Sequence, residues 1–220
     1  MLWPDGIFKN FHKRKMKENK NHWYDGWFYD RIIAPNQDKL FGQIRDYITE
    51  QATIIDVGCG TGRLAFSLSN KCKSIVGIDL SKRNIDRANR TLNQFPDSKI
   101  SFYHGSIIEL NQSKKYFFEY AILTYVIHEV NEDERINLLK AVSGIADKII
   151  IGDYVVPRPK GFEGFLTNII EFVAGREHYR NYKNYMVNGG ISDLASKAGL
   201  KIIGQINRQA STNHIVVLTK

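Results

Sequence analysis

The sequence predicts an α/β fold: a doubly wound, mostly parallel seven-stranded sheet with the last strand antiparallel and helices on both faces. Three observations lead there. From Ala52 onward, short β-branched runs alternate with segments whose apolar residues recur at helical spacing. The first two runs, ATIIDV and KSIVGID, each end in an acid, and a glycine-rich turn follows the first. The last two runs, KIIGQINR and NHIVVLT, are joined by a short link around Gln209, Ala210 and Ser211, which suits an antiparallel hairpin at a sheet edge.

The elements follow in order. Residues 1–50 read as an N-terminal helical cap, aromatic-rich from Trp3 to Tyr29. Within it Asn36 is expected to cap a helix running through Leu40, Ile44 and Ile48, whose apolar residues recur every four positions. Residues 51–220 form the main domain. ATIIDV leads to a helix from Thr61, and KSIVGID to a helix from Ser81. KISFYH precedes a short helical or loop piece, EYAILTYV a helix capped by Asn131, and DKIIIGDYV closes the series. Strand–helix alternation of this kind makes a parallel sheet covered on both faces. A helical lid insertion is expected at about 158–187, with Phe162, Phe165, Leu166, Ile169, Ile170 and Val173 on one apolar face. A last helix near Ile191 to Ala198 precedes the hairpin.

Bulk composition narrows the class. With 220 residues and 43% hydrophobic content, the chain is long enough for one sizeable core. No run reaches the roughly 18 apolar residues of a membrane span, so no integral membrane segment is expected. The basic residues near the N-terminus follow its few apolar ones, the reverse of a secretory signal. Cys59 and Cys72 have neither metal-site spacing nor the numbers for a disulfide framework, so a cytoplasmic location is expected. The formal charge of +8 favours anionic partners in general. Part of it sits in the run Lys9 to Lys20, which reads as a solvated helix face or as a nucleic-acid-binding segment.

The most specific signal is IIDVGCGTGRLAF, Ile54 to Phe66. An apolar strand ends in Asp56, and Gly58, Gly60 and Gly62 follow before a helix. Glycine permits the tight turn and lets a ligand lie against bare backbone, and the helix N-terminus behind offers free N–H groups. A second strand ends at Asp79, 17 residues after Gly62. Adjacent strand ends in a doubly wound sheet would place that carboxylate where it can accept from both hydroxyls of a ribose.

These residues carry a family resemblance. Asp56-Val57-Gly58-Cys59-Gly60-Thr61-Gly62, with Gly77-Ile78-Asp79-Leu80-Ser81, resembles the first two motifs of class I S-adenosylmethionine-dependent methyltransferases, and the implied fold is Rossmann-like. The glycine spacing is G-x-G-x-G, not the G-x-G-x-x-G of dinucleotide sites. The resemblance implies S-adenosylmethionine as cofactor and S-adenosylhomocysteine as product, with Asp56 toward an ammonium group and Asp79, Leu80 and Ser81 toward the nucleoside. Gly105-Ser106-Ile107 resembles the adenine-contacting motif, with a hydroxyl where relatives often carry an acid. Thr124 and Tyr125 fall at the end of a fourth-strand motif facing the methionine part. Tyr24-Asp25 and Tyr29-Asp30 resemble a Tyr-Asp pair of the ubiquinone and menaquinone methyltransferase group, so Tyr24 and Tyr29 are further cofactor candidates.

The end of the fourth run also bears on the acceptor. Thr124-Tyr125-Val126-Ile127 lacks the Pro-Pro turn of enzymes that methylate base amino groups, the Pro-Cys nucleophile of cytosine-carbon enzymes, and the acid of metal-dependent catechol enzymes. No metal is therefore expected, and the acceptor is read as a small, partly apolar or aromatic molecule methylated by in-line SN2 displacement. His128, His178 and Tyr125 are the catalytic candidates, with Tyr154 and Glu171 behind them. Two alternatives stand beside this: an RNA methyltransferase guided by the basic N-terminal run, and a cofactor-binding protein without catalysis. Either a monomer or a homodimer fits.

Overall fold

The computed structural model describes residues 34–112, 116–158, 162–173, 175–207 and 212–220. Tyr24, Tyr29, the aromatic N-terminal segment and the Lys9–Lys20 run lie outside the described residues, as does the link around Gln209, Ala210 and Ser211. So do the side chains of Phe162, Phe165 and Leu166.

Five strands in chain order, β1 (Thr53–Val57), β2 (Ser74–Asp79), β3 (Ile100–His104), β4 (Phe118–Thr124) and β5 (Ala146–Tyr154), run parallel. β6 (Lys201–Asn207) and β7 (Asn213–Thr219) complete one seven-stranded sheet in the order β3-β2-β1-β4-β5-β7-β6. β7 is antiparallel to both of its neighbours, as the terminal pair of runs predicted. Strand order reverses at β1, which pairs with β2 on one side and β4 on the other. A crevice at such a switch point is where open α/β sheets place ligands.

Strand residues alternate between two cores, as a pleated sheet requires. Ile54 packs with α1 (Ala34–Tyr47), α2 (Arg63–Leu68) and α3 (Lys82–Gln94) through Ile44, Leu64, Leu68 and Ile85. Ile55 and Val57 face the other side, against Ile107 and Leu110 of α4 (Ile107–Gln112) and Leu139 of α5 (Glu132–Ser143). Ile191 and Leu194 of α8 (Gly190–Ala198) join the same side. Where the lid insertion was expected stand α6 (Phe162–Val173) and α7 (Arg176–Val187).

Three boundaries differ from expectation for local reasons. Asn36 lies within α1, whose described start is Ala34. The helix behind the glycine turn begins at Arg63 rather than Thr61, because Gly62 takes a left-handed conformation at its N-cap. Asn131 stands at the N-cap of α5, yet only its backbone carbonyl accepts a bond, from the Glu134 N–H at 2.9 Å.

Candidate functional site

The glycine turn sits at the carboxyl ends of β1 and β2. The Gly58 and Cys59 N–H groups donate to the Ile78 carbonyl at 2.8 and 3.2 Å and hold the turn against β2. Its glycines have different physical reasons. A Cβ on Gly62 would stand 2.4 Å from the Phe102 ring, so the core requires that glycine. A Cβ on Gly60 would meet nothing within 4 Å, although its φ is also positive, at +54°. Bare backbone there faces open space, the room a ligand needs.

Two carboxylates frame that space. Asp79 accepts from the Gly60 N–H at 2.8 Å and the Ser81 N–H at 2.7 Å. Its carboxyl is raised by burial, with those N–H groups pulling the other way. Each oxygen keeps lone pairs for further donors. Asp56 is 1% exposed, and neither of its oxygens has a hydrogen-bond partner among the described residues. Burial first, and Asp79 second, push its carboxyl up to about 8. A buried, unpaired acid is costly, and a cationic ligand would relieve that cost. Burial also raises both thiols, Cys59 and Cys72, so neither is a nucleophile at neutral pH.

Other cofactor candidates gather around the same crevice with more varied surroundings. Leu80 is exposed beside Asp79. Ser81 accepts at Oγ from the Asn84 N–H at 3.3 Å and caps α3. Ser106 similarly accepts from the Ile108 N–H at 3.2 Å at the start of α4. Gly105 donates to the Asp79 carbonyl at 3.0 Å, while the Ile107 side chain is buried in the core. Thr124 ends β4, and Tyr125 follows with φ of +57°, a strained setting for an aromatic residue. Strain of this kind concentrates at functional sites.

Beyond Tyr125 the chain folds back over the sheet end, and α6 and α7 close on it. Tyr154, at the end of β5, stands with its ring centroid 5.8 Å from Tyr125 and 5.4 Å from Tyr182. Its hydroxyl donates to Glu171 Oε1 at 2.7 Å, and Tyr185 donates to its carbonyl at 3.0 Å. His128 is 2% exposed and tied at Nδ1 to Asp153 Oδ1 at 2.6 Å. Its Nε2 faces Glu171 Oε2 at 3.7 Å, and His178 Nε2 approaches the same oxygen at 2.5 Å. Burial pulls the His128 imidazole down, but Asp153 and Glu171 outweigh it and hold the ring at about 9. For Glu171, burial pushes up while His128 and His178 pull down and prevail.

The structure thus joins His128, His178, Tyr154 and Glu171, and it adds Asp153, which sequence reasoning missed. It also adds Arg135, 1% exposed, which donates to Val130 O at 2.9 Å, Asn184 Oδ1 at 2.8 Å and Asn181 O at 2.6 Å. Arg135 therefore fixes α7 against the turn that carries His128. An Arg in the first helix turn after an acidic Glu132-Asp133-Glu134 run reads locally as a surface residue, so sequence offers no signal for it.

Fold, glycine turn and paired strand-end acids together are those of a Rossmann-like domain. Residues 54–147 match the family described as "Methyltransferase domain". An uncharacterised methyltransferase of Staphylococcus carnosus is 23% identical over 182 residues, covering 78% of this chain and 80% of that protein. The 23S rRNA (uracil(1939)-C(5))-methyltransferase of Francisella tularensis subsp. novicida is 29% identical over 75 residues, which cover 33% of this chain. The chain spans only 17% of that relative's length. Among solved structures, magnesium protoporphyrin IX methyltransferase from Synechocystis PCC 6803 with bound SAH superposes with a TM-score of 0.64. It is 16% identical and covers 90% of both chains.

Proposed function

We propose that the chain transfers the methyl group of S-adenosylmethionine to a small, partly apolar or aromatic molecule by in-line displacement. The observation that carries this is the unpaired, buried Asp56 carboxylate beside open Gly60 backbone. Asp56 holds the ammonium group of the cofactor, and Asp79 accepts from the ribose hydroxyls while Ser81 and Gly60 fix its orientation. Leu80 and the Gly105–Ile107 segment flank the adenine, and Thr124 and Tyr125 border the methionine part. When bound, the cofactor supplies a methyl group already activated by its sulfonium. The protein's share is therefore alignment and exclusion of water, which can be worth about 7–11 kcal/mol.

A small acceptor is favoured over RNA by what covers the crevice. Tyr125, Tyr154 and Tyr182 form a ring-lined wall under α6 and α7, suited to a molecule that can be enclosed. No proton transfer is assigned to His128 or His178, since carboxylates hold both. The test is incubation with methyl-labelled S-adenosylmethionine and two acceptor panels: phenols and quinols, and total RNA. Label in the small-molecule panel is expected. Label in RNA alone, or failure of S-adenosylhomocysteine to bind by calorimetry, overturns the assignment.

A further inference from the structure

We propose that His128, Glu171 and His178 form a binding site for one divalent transition-metal ion of the zinc class. Their ligating atoms, one from each residue, lie within 4.8 Å of one another beneath α6 and α7. Two imidazoles and one carboxylate are a donor set that zinc and related ions take, with N and O ligands at about 2.0–2.2 Å. Tetrahedral ligation at those lengths separates ligand atoms by roughly 3.3 Å. The His128–Glu171 edge, at 3.7 Å, is close to that spacing, and His178, at 2.5 Å from Glu171, needs to back away by under about 1 Å.

Three independent features point inward to the same spot. Asp153 occupies Nδ1 of His128, leaving Nε2 for an ion; such carboxylate–histidine pairs orient metal ligands and fix the tautomer. Tyr154 holds Glu171 Oε1. Glu171 is 3% exposed, and its other oxygen, Oε2, lies between the two imidazoles, 2.5 Å from His178 Nε2 and 3.7 Å from His128 Nε2. Cofactor recognition plays no part here, so the site does not depend on the proposed acceptor.

The experiment is direct. The full chain is stripped with a chelator, titrated with Zn²⁺ by calorimetry and analysed for bound metal. A parallel sample is loaded with Co²⁺ for its visible spectrum. We expect one Zn²⁺ per chain, an at least 100-fold weaker affinity in both Glu171→Gln and His178→Ala, and a 10–100-fold loss in Asp153→Asn. Co²⁺ should give a nitrogen/oxygen-ligand spectrum without thiolate charge transfer. Retained S-adenosylhomocysteine binding reports folding of each variant, and Glu171→Gln keeps the residue's shape. No stoichiometric Zn²⁺, unchanged affinity in folded variants, or a thiolate signal overturns the proposal. Absence of cofactor binding in the wild-type chain would instead sink the methyltransferase assignment and leave the metal result standing.

Discussion

Replacing Asp56 by Asn separates the stability of this protein from its ligand binding. Burial and Asp79 hold the folded-state carboxyl at about 8, against 3.8 for the free group. Between those values the unfolded chain has released its proton and the folded chain has not. Stability is therefore full below about pH 4 and declines as pH rises toward 8. The slope is about 1.4 kcal/mol per pH unit for a fully protonated folded state, hence about 4 kcal/mol between pH 5 and pH 8. Water in the crevice relieves part of this, so we expect a change of about 2 kcal/mol or more. Asn cannot ionise, and the difference between variant and wild type isolates Asp56 from every other titrating group. Urea unfolding of both proteins at pH 5, 6, 7 and 8 should show Asp56→Asn gaining on the wild type at each step. A difference flat to about 0.5 kcal/mol across that range refutes the burial of an unpaired acid. The same carboxyl should ionise when it receives an ammonium group, releasing about 0.9 proton per cofactor bound at pH 7. Calorimetry in buffers of different ionisation enthalpy reads that release, and the variant should show neither the proton nor the binding.

Other perturbations probe the remaining parts. Asp79→Ala should weaken S-adenosylhomocysteine binding at least about 100-fold, two charge-assisted bonds being worth about 1.5–3 kcal/mol each; unchanged calorimetric affinity removes the ribose role. Gly60→Val should stay folded but lose about 1–2 kcal/mol in urea unfolding, because a β-branched residue is strained at a φ of +54° although its Cβ meets no protein atom, and should fail to bind cofactor; normal binding dissociates the turn from the site. Gly62→Ala should cost more, about 2 kcal/mol or more, because its Cβ strikes the Phe102 ring at a φ of +85°. Neutralising Lys13, Arg14, Lys15 and Lys17 should leave small-molecule turnover unchanged; a coupled loss of turnover and of salt-sensitive RNA affinity would favour an RNA acceptor.

What the sequence could disclose was set by distance along the chain. The sheet was legible because each strand is a short apolar run whose packing demand is written in consecutive residues. The crevice was nearly as legible, since Asp56, the three glycines and Asp79 fall within two adjacent strand–turn units and need only the right-handed crossover to meet. Local competition blurred the next layer. Ser106 and Ser81 read as ligand hydroxyls, yet both lie where an α-helix begins, and the nearest unpaired N–H takes each oxygen. The lid-side cluster was illegible for the opposite reason. His128, Asp153, Glu171 and His178 come from the turn after β4, the end of β5, α6 and α7, and nothing local pairs them. The expectation of no metal followed from the lack of an acid at the end of β4, but the carboxylates supplied here come from β5 and α6. One signal was available: Glu171 stands inside the apolar run NIIEFV, and a charge buried in such a face requires a partner. Sequence could say that a partner exists; only the closing of α7 by Arg135 says that it is a pair of imidazoles.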